Sequence, residues 1–169
     1  GLKMTDSTTS KTSGVSLNNE IESNLSHINL PKDFHPSLSS TYMCDQSLKF
    51  FQNKLIDWKG QLLIELDNTI TDLKNKHMQE PDENDRASAE SDTSFELRTR
   101  ERYMKLITKI DQALVRIENK EYGYCIVSGD EIGIKRLEAR PIATMSIEAQ
   151  EEYEKKKKLM KSVEEEEAF

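Results

Sequence analysis

From Cys44 onward, apolar residues recur at three- and four-residue steps: Leu48, Phe51, Leu55, Trp58 and Leu62, then Leu66, Ile70 and Leu73. A repeat of about 3.5 residues draws a narrow apolar stripe along one side of a helix, the pattern of a coiled-coil seam. Asp45 or Ser47 is the expected N-cap. Helix-compatible sequence runs to about Lys76, a rod of about 45 Å at 1.5 Å per residue. A globule of this size cannot cover so long a helix, so part of it must project. The stripe stops between His77 and Thr93, where MQEPDENDRASAESDT supplies a proline, small residues and many carboxylates. It resumes at Phe95 and continues through Leu97, Arg102, Leu106, Ile110, Ala113 or Leu114, and Ile117. Two helices of similar length joined by a polar segment predict an antiparallel hairpin over residues 41–119, with an acidic tip at 77–93.

The flanks lack this period. Residues 120–145 carry glycines at 123, 129 and 133, two tyrosines and Pro141, which predicts a small, turn-rich globular unit. Its expected core is Tyr122, Tyr124, Ile126, Ile132, Ile134, Leu137 and Met145. Ser146 is a good N-cap for a last helix within residues 146–169, whose acidic end is expected to fray. Residues 1–40 are rich in Ser, Thr and Asn and predict a flexible or partly docked extension. Within it, Ile21, Leu25, Ile28 and Leu30 suit one short amphipathic turn against something else. The expected fold is mostly α: a long antiparallel coiled-coil hairpin, a small globular unit and a C-terminal helix.

Composition agrees with an elongated molecule. Among 169 residues, 33% are charged and 35% hydrophobic, against about 25% and about 45–50% in an average globular domain. The net charge is −7, from 24 Lys+Arg and 31 Asp+Glu. That balance argues against delocalised binding to DNA or to an anionic membrane, both of which need surplus cations. No apolar run approaches the roughly 18 residues of a membrane span, and no charged-then-apolar signal opens the sequence, so a cytosolic protein is expected.

Two places could carry chemistry. Asp82, Glu83, Asp85, Glu90 and Asp92 put carboxylates at the end of a projecting rod, where they can perturb a cation in another macromolecule. No histidine lies close enough in sequence to make an acid–base pair with them, so catalysis is not expected. Cys125, in YGYCIVSG, has the setting of the first knuckle of a zinc ribbon. There, however, Ser128 stands in the partner position, and the place for the second pair offers Ser146 and Ala149. A serine hydroxyl is a poor zinc ligand and alanine is none. No metal is expected, and Cys125 is expected to be a small buried apolar residue.

PDENDRA in the tip, SFELRTRERYMKLITKI on the returning helix, YGYC, and above all EIGIKRLEARP together resemble the DksA/TraR family of bacterial transcription factors. The likeness runs from about Tyr42 to Tyr153. It implies a factor that binds RNA polymerase directly, without recognising DNA sequence, and that is no enzyme itself. The hairpin would enter the polymerase secondary channel while the globular end grips the rim, with Arg102 as a rim contact. The family's tip motif falls on Asp82, Asp85 and Ala87, and its positions contacting the alarmone ppGpp fall on Leu106, Lys109, Arg140 and Gln150. Lys109 and Arg140 suit phosphate, whereas Gln150 is uncharged where the family carries a cation. The resemblance further implies modulation of initiation, for example at ribosomal RNA promoters, in the stringent response. A monomer is expected, because an intramolecular hairpin needs no partner helix. Two alternatives remain: a Gre-like transcript-cleavage factor, which would carry a different globular unit, and a coiled-coil scaffold, which leaves EIGIKRLEARP without a role.

Overall fold

A computed structural model describes residues 25–77 and 83–168. Helix α1 spans Asp45–His77, α2 spans Glu83–Glu118, α3 spans Ile134–Ala139 and α4 spans Ile147–Glu167. At 1.5 Å per residue, α1 and α2 are each about 50 Å long, and they pack side by side as the predicted hairpin. Cys44 precedes α1 and its carbonyl accepts from the Leu48 N–H. Asp45 and Ser47 sit within the first turn, and the Ser47 hydroxyl lies 3.4 Å from the Cys44 sulfur.

The buried core occupies one end of this hairpin only. Leu48, Phe51, Leu55 and Leu62 of α1 meet Ile110, Ala113, Leu114 and Ile117 of α2. Beyond Leu62 on α1 and before Ile110 on α2, no described residue of either helix is buried. Leu66, Ile70 and Leu73 continue the stripe half-exposed. The outer hairpin is therefore a two-helix rod, held by its narrow seam and by helix propensity, as the length argument required.

Residues 120–145 close the base of the rod. Tyr122, Cys125, Ile132, Leu137, Ile142 and Ala143 join the core. The segment contains one isolated antiparallel bridge, between Tyr124 and Glu131, and the short helix α3. A helix of about one and a half turns is too short to show a period, so the sequence pattern missed it. Ile126, expected in the core, is instead 63% exposed. Its N–H donates to the Thr144 carbonyl at 2.9 Å, and the side chain is left on the surface. Tyr124, Ile134 and Met145 pack half-buried against the core.

The extension is docked from Leu25 onward. Leu25 and Met43 are buried, and Ile28 packs against the same core after a turn closed from its N–H to the Leu25 carbonyl. Phe34 and His35 each meet the Phe50 ring edge-on, and His35 Nε2 also contacts the Glu138 carboxylate of α3. The Tyr42 hydroxyl donates to the Gly123 carbonyl and accepts from the Gly133 N–H. Gly123 has φ +91, and a Cβ there would lie 2.6 Å from Met43 Cγ. Only glycine avoids both the strain and the clash. Ile21 lies outside the described residues.

Two boundaries differ from the sequence expectation. The acidic segment is mostly helix, since α2 begins at Glu83 and only residues 78–82 separate the two long helices. Alanine and glutamate favour helix, and carboxylates in a first turn suit its dipole, so a helix persists where the apolar stripe has stopped. Likewise α4 continues through Glu164–Glu167 to its end at Glu167.

Candidate functional site

The wall opposite the rod is built by a short polar framework. The buried Tyr122 hydroxyl donates to the Pro141 carbonyl at 2.7 Å, fixing the loop that follows α3. Burial pushes its phenol up from the usual value, so it remains a neutral donor. Arg116 on α2 donates to the Tyr124 and Glu121 carbonyls, which ties the turn after α2 to its own last turn. Lys54 of α1 donates to the Glu138 carbonyl near the end of α3, where a cation suits the helix dipole.

This framework leaves a concavity of about 280 Å³ lined by Lys109 and Gln112 of α2, Arg136 of α3, Arg140 at its C-cap, and Gln150 of α4, over a floor that includes Ile142. Lys109, Arg140 and Gln150 were expected at one site, and the fold brings them together. Leu106 lies one turn before Lys109, half-buried against the core and outside the lining. Arg102 is exposed about two turns further along α2.

Arg136 and Gln112 are additional members that pattern alone did not identify. Arg136 lies in α3 and Arg140 is the residue that caps it, the Arg140 N–H donating to the Arg136 carbonyl at 2.8 Å. The Arg136 Nε donates to the Met145 carbonyl at 3.0 Å, which holds the guanidinium in place. No period marks Arg136 in the sequence, because the six-residue helix that carries it is too short to show one. Gln150 donates to Glu154 Oε1 at 3.0 Å, so its amide is partly engaged and a carboxylate stands near the rim. Three cations against phosphate-sized space suit an anionic ligand, because charge-assisted bonds from Arg and Lys are the strong ones.

Asp85 and Ala87 lie far along α2 from this concavity. Asp82 is outside the described residues, and Asp85 and Ala87 belong to the backbone of the first two turns of α2. From Asp85 to Lys109 the helix covers about 36 Å. The length of the rod thus separates Asp85 from the cationic concavity.

At the knuckle, Cys125 is buried. Burial opposes ionisation of its thiol, but the Ser128 hydroxyl and the N–H groups of Ser128, Ser146 and Val127 stabilise the thiolate and bring the group down to about 6. The expected inert apolar residue is thus a hydrogen-bond acceptor. Ser146 caps α4, its hydroxyl accepting from the Ala149 N–H at 3.3 Å. Ser128 accepts from the Asp130 N–H. Among the described residues, no three His, Cys, Asp or Glu side chains converge as a metal site, and no helix is long and apolar enough to cross a membrane.

Comparison with known proteins bears on both ends of the molecule. A family profile described as the N-terminal domain of DnaK suppressor protein DksA matches residues 47–117, and one described as the prokaryotic dksA/traR C4-type zinc finger matches residues 120–155. The RNA polymerase-binding transcription factor DksA of Caulobacter vibrioides is 48% identical over 127 residues, which is 75% of this chain and 89% of that protein. The protein of the same name from Escherichia coli K12 is 44% identical over 107 residues, 63% of this chain and 71% of the relative. The structure of transcription factor DksA2 from Pseudomonas aeruginosa superposes with a TM-score of 0.66 at 36% identity, covering 71% of this chain and 92% of that one. The finger profile implies zinc held by four cysteines, but Cys125, Ser128, Ser146 and Ala149 do not fit that group. One thiol remains, alanine donates nothing, and both serine hydroxyls accept backbone N–H groups.

Proposed function

This chain belongs to the DksA family of RNA polymerase-binding transcription factors, and from that membership we propose that it binds bacterial RNA polymerase directly and modulates initiation together with ppGpp. The hairpin enters the secondary channel, Asp82, Asp85 and Ala87 act at its far end, and the base grips the rim with Arg102 among the contacts. The alarmone's phosphates occupy the concavity at Lys109 and Arg140, with Gln150 in its lining and Leu106 just outside it. The protein acts in the cytoplasm as a monomer, recognises no DNA sequence and catalyses no reaction of its own. The observation that carries this proposal is the placement of a cationic, ligand-sized concavity at the base of a rod whose acidic end lies about 36 Å away.

Multi-round transcription from a ribosomal RNA promoter, with purified bacterial RNA polymerase, tests the proposal. Inhibition that deepens with ppGpp is the expected result. Cleavage of backtracked transcripts without inhibition would favour a Gre-like factor, and no effect would favour a scaffold. Lys109→Ala and Arg140→Ala should each raise the ppGpp concentration giving half of the added inhibition by about tenfold or more, since each removes charge-assisted bonds worth about 1.5–3 kcal/mol. Inhibition without ppGpp should persist in both variants. Equal ppGpp curves for all three proteins would place the alarmone elsewhere.

Zinc is not required in this scheme. Packing around Tyr122 and Leu137, with the hydrogen bonds at Cys125, holds the small unit. Excess 1,10-phenanthroline should therefore leave the thermal midpoint unmoved to within about 1 °C, whereas loss of a structural metal removes folding free energy outright. A fall of several degrees would show that metal contributes after all.

A further inference from the structure

From Glu151 to its end at Glu167, α4 leaves every residue exposed. Its sequence is nonetheless ordered: Tyr153, Lys156, Met160, Val163 and Glu167 recur at steps of three, four, three and four, with Leu159 beside them. That is the seam of a coiled coil running about two heptads, or about 21 Å, with Met160 and Val163 in the middle and a charged position to either side. Tyr153 is 54% exposed, Leu159 66%, Met160 71% and Val163 52%. Single exposed aliphatics are ordinary, but a row of them at seam spacing marks an interaction surface.

The charge along the seam indicates what covers it and which way that partner runs. Lys155–Lys158 precede the apolar layers and Glu164–Glu167 follow them. From Tyr153 to Glu167 there are five lysines and five glutamates, so this stretch is neutral within a chain of net charge −7. A nucleic acid or an anionic membrane drawn to the lysines would meet four glutamates about two to three turns further on. A second copy of α4 laid antiparallel meets its own complement. With Met160 of one copy set against Val163 of the other, Lys156 falls opposite Glu167 of the other copy and Lys157 beside its Glu164. The two-fold symmetry repeats both, which makes four pairs of opposite charge. A parallel pair would instead set Lys156 against Lys156 and Glu167 against Glu167. In the single chain Lys156 Nζ lies 3.0 Å from Glu152, an exposed pair of little worth that leaves the lysine able to re-pair.

We propose that α4 is a self-association surface on which two copies of this chain pair antiparallel through Met160 and Val163. Two apolar layers from each copy make a small, transient interface. Dilute protein is therefore monomeric, the form that meets polymerase in the function proposed above, and the paired form gathers as concentration rises. The pairing does not depend on that function.

The test is sedimentation equilibrium of the full chain from about 5 µM to about 500 µM, a span that brackets weak association. The weight-average mass should climb from one chain toward two. Met160→Ser/Val163→Ser should lose the association while keeping the parent's thermal midpoint, because both positions are exposed. Lys156→Glu/Lys157→Glu and Glu164→Lys/Glu167→Lys should each lose it too, since each sets like charges together. An equimolar mixture of these two charge variants should associate again, because every facing pair is then opposite in sign. Recovery on mixing also shows that neither variant had merely failed to form its helix. A parent that is still monomeric at the highest concentration overturns the proposal. Association that survives Met160→Ser/Val163→Ser overturns it by running through another surface. Association kept by either charge variant, or absent from their mixture, overturns the antiparallel register on which it stands.

Discussion

The chain carrying Asp82→Asn and Asp85→Asn should bind RNA polymerase within about twofold of the parent and lose its effect on initiation. Asn keeps the size of Asp and removes one negative charge at each position, so the double variant isolates charge from shape. The buried core ends at Leu62 and Ile110, and the concavity lies about 36 Å from Asp85 along α2. Neither the fold of the base nor its grip depends on these carboxylates. The cost to the rod is local: a carboxylate at a helix N-terminus contributes about 0.3–1 kcal/mol, and α2 begins at Glu83 with other acids close by. In the proposed complex, what the variant removes is negative charge delivered to one point inside the polymerase. Carboxylates brought near a bound Mg²⁺ change its coordination and the potential around it, an effect with no neutral substitute. Binding by competition and inhibition in multi-round transcription, measured on the same preparation, decide the matter. Loss of binding would sink the division between grip and effector, and retained inhibition would show that the tip acts through shape.

The same division explains which parts of the molecule were legible in the sequence. The hairpin and its projection followed from the stripe at Leu48–Leu73 and Phe95–Ile117, because a seam writes its period into every turn. The extent of the tip did not follow, because Glu83–Thr93 is helical through propensity and end charge, which leave no apolar trace. The docking of Tyr42 and Met43 was equally hidden, since it depends on contacts with Gly123 and Gly133 some eighty to ninety residues away. Irregular segments gave the least. Ile126 could not be assigned a face where no period exists, and Arg136 could not be joined to Arg140 until IKRLEA proved to be a helix capped by Arg140. Lys109, Arg140 and Gln150 were gathered beforehand only because the family likeness supplied the grouping. The fold then placed these three together and left Leu106 just outside, on the core side of α2.

The largest loss of stability should come from Phe51→Ala. Phe51 is fully buried, with Tyr122 ring to ring at 5.5 Å and Phe50 edge-on at 5.3 Å. It is thus the point where α1, the small unit and, through Phe50, the docked Phe34 and His35 all meet. Truncating a buried Phe costs about 3–5 kcal/mol, through lost transfer free energy and the cavity left behind. Total stabilities are about 5–15 kcal/mol, and the described residues form one core, confined to the base, so little remains to compensate. The thermal midpoint should fall by about 10 °C or more. Leu73→Ala offers the contrast: it is on the same seam but half-exposed beyond the core, and should cost less than about 1 kcal/mol. Circular dichroism on both variants separates a cooperative base from a rod with evenly spread stability. If the base organises the whole molecule, Phe51→Ala should also abolish the proposed ppGpp response above its midpoint, because Lys109 stands on α2 and Arg140 on the cap after α3, and only that core holds them across one concavity.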